Sequence, residues 1–293
     1  MDFGRMLTAM ATPFGQDGGI DYAALERLVN HLIDTGTNTI VVCGTTAESP
    51  TLSHEEKLHL FEKTMEYVDG RVPVIAGTGS NDTRSSIILS QEAQKIGVHG
   101  LLLVAPYYNR PTQGGLIAHF KSIAESVDLP IMLYNVPGRT GVNISAATVL
   151  ELAHVPNIFA VKEASGDFGQ MLQIAAFKPD DFLLYSGDDK FTLPLLSVGG
   201  YGIVSVASHV VGTEIQKMIN AYINGDVENA SVWNSRLLPV FEALFMVSSP
   251  APLKAALHLF GLCENSLRLP LVNAPENVVE KLKLELTKLD KLS

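Results

Sequence analysis

Three consecutive stretches decide the fold: Pro130-Ile131-Met132-Leu133-Tyr134, Ser145-Ala146-Ala147-Thr148-Val149-Leu150-Glu151-Leu152-Ala153, and Phe159-Ala160-Val161-Lys162. A short apolar run is followed by an amphipathic segment and then by a second short run. Continuous aliphatic runs of this length are the signature of strands buried on both faces. Two such strands joined through a helix pair in parallel across a crossover. The alternation continues in both directions. Further runs lie at Met6–Met10, Thr39–Val42, Val72–Ala76, Gly100–Val104, Phe182–Ser186 and Gly202–Val206, making eight. Helical patterns fall between them at Tyr22–Thr35, Glu55–Val68, Thr83–Ile96 and Leu116–Ser126. In the first of these, Leu25, Leu28, Val29, Leu32 and Ile33 line one face. Ser53-His54-Glu55-Glu56 has the form of a capping box, and Gly36, Gly70, Gly97 and Gly225 follow helix ends.

Eight strand–helix units predict an α/β fold, a (β/α)8 or TIM barrel, over residues 1–225. An open doubly wound sheet is the competitor, but it usually carries a glycine-rich phosphate turn after its first strand. Here that strand runs into Ala11-Thr12-Pro13-Phe14. From 226 to 293 the strand signal stops. Val227–Met246, Pro252–Phe260 and Glu276–Leu292 read as helices, a C-terminal α-helical region appended to the catalytic barrel.

Composition narrows the function classes. Of 293 residues, 46% are apolar and only 18% charged, with 31 acidic against 21 basic and a net charge of −10. This apolar content excludes a disordered chain. An average soluble domain carries roughly 25% charged residues, so the deficit points either to an unusually large core or to surface buried against other copies of the chain. The acidic balance argues against a nucleic-acid partner. No apolar stretch approaches the roughly 18 residues of a membrane span. Met1-Asp2-Phe3-Gly4 places an acid where a signal peptide would be basic, and Cys43 and Cys263 form no disulfide framework, so a cytoplasmic protein is expected. The eight histidines include no His-x-x-x-His, and neither a Gly-x-Ser-x-Gly elbow nor a P-loop occurs. No metal or organic cofactor is expected.

A barrel of this kind holds its active site on the loops that follow the strands, so the strand ends are where chemistry is sought. Lys162 closes an apolar strand on the same face as Ala160. A lysine drawn into a barrel mouth loses hydration, which favours the neutral amine and lets it attack a ketone to form an imine. The bland reading is a strand-end lysine that snorkels to water. Imine formation needs a proton shuttle, and Tyr134 ends the preceding strand, within reach of such a role. Thr45 and Tyr108 offer further hydroxyls for a relay to solvent, against loop packing and turn hydrogen bonding as their ordinary roles. Gly44-Thr45-Thr46 presents amides and hydroxyls suited to a carboxylate. Arg139, in Pro137-Gly138-Arg139-Thr140-Gly141, could grip a second one or be a plain surface arginine. An imine-forming lysine with two carboxylate grips suggests condensation of two small acids. His209 reads as a satisfied structural histidine.

Five motifs carry a resemblance: Gly44-Thr45-Thr46-x-Glu48, Val74-Ile75-Ala76-Gly77-Thr78-Gly79, Pro106-Tyr107-Tyr108-Asn109, Tyr134-Asn135-Val136-Pro137-Gly138-Arg139-Thr140 and the Lys162 strand. Together, from Thr12-Pro13-Phe14 to Arg268-Leu269-Pro270-Leu271, they resemble the dihydrodipicolinate synthases of the pyruvate-dependent class I aldolase and N-acetylneuraminate lyase family. The resemblance implies that pyruvate forms a Schiff base with Lys162 and tautomerises to an enamine. The enamine attacks the aldehyde of L-aspartate 4-semialdehyde, and the adduct cyclises to 4-hydroxy-tetrahydrodipicolinate, the first committed step toward diaminopimelate and lysine. It further implies Tyr134 as proton donor and acceptor, and Thr45 and Tyr108 as relay hydroxyls. Thr46 is implied as the pyruvate-carboxylate contact, Arg139 as the grip on the semialdehyde, and Val204 as a backbone contact. Gly187 is placed beside the site. A homotetramer, a dimer of dimers, is implied, with Tyr108 reaching across the tight interface. Another pyruvate aldolase, cleaving neuraminate or a keto-sugar acid, is the alternative, and a silent ligand-binding barrel a more distant one.

Two departures stand out. Ala47 replaces a glycine common in the family. In the lysine-feedback pattern of some members, Ser49, His54, Asn81 and Tyr107 match, but Lys57 replaces a histidine and Ser85 a glutamate. A gained cation and a lost acid disfavour a lysine ammonium, so weak or absent inhibition by lysine is expected.

Overall fold

The computed structural model describes residues 2–292; Met1 and Ser293, the outermost residues of the two expected segments, lie outside them. Eight parallel strands pair in chain order as a closed barrel. They are β1 Met6–Ala9, β2 Thr39–Val42, β3 Val74–Gly77, β4 Gly100–Val104, β5 Ile131–Asn135, β6 Ile158–Glu163, β7 Leu183–Ser186 and β8 Gly202–Ser205. Every strand residue except Val104, Phe159 and Leu183 is buried, the burial on both faces that the aliphatic runs predict.

The chain divides into two compact units. One comprises Pro73–Val204. Its strands run in unbroken parallel register from β3 to β8 except at one point on β6. There Ile131 pairs with Ile158 but Met132 with Ala160, so Phe159 is passed over. That extra residue sets the faces of everything downstream.

The other unit holds the residues up to Val72 and those from Ser205 onward. Here β1 pairs with β2, Leu7 opposite Thr39. The helices Val227–Ala243 and Ala251–Leu259 pack on Ser208–Ile223, and Glu276–Thr287 packs on both.

Helix ends follow their caps. Ser53 and Glu56 form the reciprocal box that starts His54–Val68. The helix expected from Leu116 begins at Gln113, because the Thr112 side chain accepts from the Gly115 N–H. The last helix stops at Thr287 rather than Leu292. Asp290 takes φ 56° there and the Lys291 N–H returns to the Leu286 carbonyl.

Candidate active site

The β5–β6 register places Tyr134 directly opposite Lys162. Without the residue passed over at Phe159, Tyr134 would face Val161 and the two side chains would lie on opposite faces. Instead the Lys162 Nζ sits 4.2 Å from the centroid of the Tyr134 ring. Lys162 is 4% exposed and Tyr134 5%, so the amine is not a snorkelling surface group. Among the described residues no carboxylate forms an ion pair with it.

Gly187 is the first residue after β7 and donates its N–H to the Glu163 carbonyl at 2.8 Å. A Cβ there would lie 2.7 Å from the Ala164 Cβ, 3.0 Å from the Lys162 Cε and 3.1 Å from its Cγ. The missing side chain is the space that the lysine stem occupies. Gly187→Ala is therefore expected to displace the amine and slow the formation of a pyruvate adduct by about tenfold or more. Stopped-time borohydride trapping measures this; an unchanged rate would show that the stem has other room.

The loops after β4 and β5 carry the next candidates. Tyr108 is 89% exposed and holds φ 74°, and Arg110 holds φ 49°, left-handed conformations that non-glycine residues seldom adopt. The Tyr108 N–H donates to the Thr140 carbonyl at 3.2 Å. This ties its loop to the short turn Pro137–Thr140, where Arg139 is exposed. Gly141 ends that turn with φ 74°. Val204 is buried within β8.

Thr45 and Thr46 belong to the other unit, in a single 3-10 turn, Thr45–Ala47, after β2. Non-glycine residues with positive φ bracket it, Cys43 at 56° and Glu48 at 58°. The Thr12 hydroxyl holds it by donating to the Ala47 carbonyl at 2.9 Å. Thr46 is buried and Thr45 half-buried. Burial pushes the Cys43 thiol up to about 12, so it is an inert neighbour and not a nucleophile.

His209 is buried and bonded at both ring nitrogens. Nε2 accepts from the Ala11 N–H at 3.1 Å, which leaves the Nδ1 proton for the Val206 carbonyl at 2.8 Å. Burial lowers its pKa to about 4, fixing it as a neutral structural group. Among the described residues no group of three or more His, Cys, Asp or Glu is placed to hold a metal ion.

Two sets of polar residues escaped the sequence reading. Asn135, Glu163 and Gln170 form a buried cluster behind the Tyr134–Lys162 pair. Lys254 forms a fully buried ion pair with Glu48, 2.6 Å long. A lysine within Pro252-Leu253-Lys254-Ala255-Ala256-Leu257 was the available signal for the second; strand-end Asn135 and Glu163 gave none.

A model of the Dihydrodipicolinate synthetase family matches residues 2–289. The 4-hydroxy-tetrahydrodipicolinate synthase of Moorella thermoacetica is 54% identical over 96% of this chain and 97% of its own. The crystal structure of a dihydrodipicolinate synthase from Bacillus anthracis superposes with a TM-score of 0.95 at 52% identity, covering 98% of both chains. That of a dihydrodipicolinate synthase from Cyanidioschyzon merolae, with lysine bound, gives 0.97 at 46%, covering 99% of both. Matched along nearly its whole length in sequence and in structure, the chain belongs to the dihydrodipicolinate synthetase family.

Proposed function

We propose that this chain is a lyase that condenses pyruvate with L-aspartate 4-semialdehyde through an imine on Lys162. The observation that carries this reading is the buried Lys162 amine held against Tyr134, with Gly187 leaving room for its stem. The Lys162 Nζ attacks the pyruvate ketone, Tyr134 moves the protons, and water leaves as the C=N bond forms. Loss of a methyl proton gives the enamine, whose carbon attacks the aldehyde. The semialdehyde's own amine then displaces Lys162 at the imine carbon and closes the ring. Pyruvate and the semialdehyde thus yield 4-hydroxy-tetrahydrodipicolinate and one water, the first committed step of diaminopimelate and lysine biosynthesis. The imine is itself the electron sink, so the reaction takes no metal or organic cofactor.

Thr46 binds the pyruvate carboxylate, Arg139 the semialdehyde carboxylate, and the Val204 backbone the keto acid. Thr45 and Tyr108 pass protons between Tyr134 and solvent. An exposed tyrosine on strained backbone suits a group that works in a neighbouring copy. As the family resemblance implies, the chain acts as a homotetramer, a dimer of dimers in which Tyr108 crosses the tight interface. We place the barrel at 1–225, the appended helices at 226–293, and the enzyme in the cytoplasm; no helix of the described residues is long and apolar enough to cross a membrane.

Borohydride reduction in the presence of pyruvate tests the chemistry. One reduced pyruvate per chain is expected, located on Lys162 by peptide mass, and Tyr134→Phe is expected to slow its formation by roughly 10²-fold. Absence of the adduct ends the proposal; adduct without turnover of the semialdehyde points to a sugar-acid aldolase.

Lysine is expected to inhibit weakly or not at all. Lys57 stands half-buried, and the Ser85 hydroxyl is committed to Asp82 at 2.5 Å. Neither supplies the anionic acceptor that an ammonium needs. A titration of initial rates with lysine checks this, and half-inhibition at micromolar lysine would refute it.

A further inference from the structure

Asn135 and Glu163 oppose one another one residue beyond Tyr134 and Lys162, and so on the other face of the same two strands. Both are fully buried. The Glu163 carboxylate accepts from Asn135 Nδ2 at 2.9 Å, from Gln170 Nε2 at 2.9 Å and from the Ser165 N–H at 2.7 Å. Among the described residues no cation forms an ion pair with it. A carboxylate buried among neutral donors alone is costly to desolvate, and simple packing would be better served by an apolar side chain.

What the carboxylate supplies is direction. It has no donor, so it turns the NH2 ends of both neighbouring amides inward and their oxygens outward. The outward oxygens meet one segment. Asn135 Oδ1 accepts the Ile144 N–H at 2.9 Å, and Gln170 Oε1 accepts from Asn143 Nδ2 at 2.8 Å. The Asn135 amide also donates to Asn143 Oδ1 at 2.7 Å. Asn135 and Asn143-Ile144 are the two stems of the loop that carries Arg139. Between them the Pro137–Thr140 turn has four residues and no side-chain cap, too little helix to hold its own position.

We infer that Glu163 is a positioning residue for the second substrate: through Asn135 and Gln170 it fixes both stems of the Arg139 loop. This rests on the role proposed above for Arg139. A glutamine at 163 presents an NH2 to facing donors, so one amide must turn over and release its stem.

Steady-state kinetics of the full chain provide the test. Glu163→Gln is expected to raise KM for L-aspartate 4-semialdehyde about tenfold, with KM for pyruvate and the borohydride-trapped pyruvate per chain within twofold of the unchanged protein. Asn143→Ala, at an exposed position, is expected to act in the same direction by about threefold and carries the test should Glu163→Gln not fold. In an Arg139→Ala background, Glu163→Gln is expected to change KM for the semialdehyde no further. A rise in both KM values together, a loss of adduct in the variant, or effects that multiply with Arg139→Ala overturn the positioning role. An unchanged protein that traps pyruvate but shows no split in the variants overturns that role alone. An unchanged protein with no adduct on Lys162 overturns the proposed reaction, and the positioning role with it.

Discussion

Lys162→Ala is expected to abolish the trapped pyruvate adduct and to lower kcat/KM for condensation by about 10⁴-fold or more. Among the described residues two lysines are deeply buried, Lys162 on a barrel strand and Lys254 on the appended helix Ala251–Leu259, and their surroundings differ. Lys254 commits its donors to Glu48 at 2.6 Å and to the Ser266 carbonyl at 2.8 Å. Lys162 faces the Tyr134 ring and, among the described residues, has no carboxylate in an ion pair. Only the second is placed to attack a ketone. Alanine also removes a buried stem, so Lys162→Met, which keeps most of the volume, separates chemistry from packing. Both variants are expected to lose the adduct, with Lys162→Met retaining nearly the native thermal midpoint. Intact mass after borohydride reads the result. An adduct that persists in Lys162→Met and maps to another lysine would remove the basis of the proposed reaction.

The barrel was legible because its strands are buried on both faces: aliphatic runs such as Gly100–Val104 and Thr39–Val42 coincide with β4 and β2. Thr83–Ile96 was equally clear, since Asp82 caps its start and Gly97 ends it with φ 93°. The strand ends also pointed to the candidate residues, because this fold places loops with function there. The register between β5 and β6 was not legible. Nothing in Asn157-Ile158-Phe159-Ala160 marks the residue that is passed over, yet that residue turns Lys162 toward Tyr134. The packing need at Gly187 was hidden for a related reason. The close approach is to Lys162 and Ala164, 25 and 23 positions away along the chain. Neither turn chemistry nor a positive φ announces that glycine. Long-range polar pairs such as Glu48 with Lys254 leave no period for a sequence reading to detect.

Lys254→Ala is expected to destabilise the unit that contains it by about 3–5 kcal/mol, the largest stability effect of any single surface-distant change proposed for this chain. Both partners have side chains with 0% exposure, so removing the cation strands the Glu48 carboxylate where water cannot reach it. Burial pushes the Lys254 pKa down, and Glu48 opposes that shift; each group keeps the other tolerable. The ammonium also lies 4.0 Å from the centroid of the Phe14 ring, a further contact that alanine would lose. Glu48 is the residue that ends the Thr45–Ala47 turn, in a left-handed conformation at φ 58°. Its second oxygen accepts the Arg268 N–H at 3.0 Å, while the Arg268 guanidinium grips Glu56 and the Thr51 carbonyl. The helix Ala251–Leu259 and the segment after it therefore hold the proposed carboxylate-binding turn in place. Loss of Lys254 should accordingly raise KM for pyruvate as well as lower stability, whereas an ordinary core truncation should do only the second. Urea denaturation with an unchanged slope reads the loss of stability, and initial rates read the rise in KM. Glu48→Gln combined with Lys254→Met removes both charges and is expected to recover most of the lost stability, since a neutral pair strands no ion. A loss below about 1 kcal/mol in Lys254→Ala, or a double variant no more stable than the single one, would mean that the pair does not hold the turn.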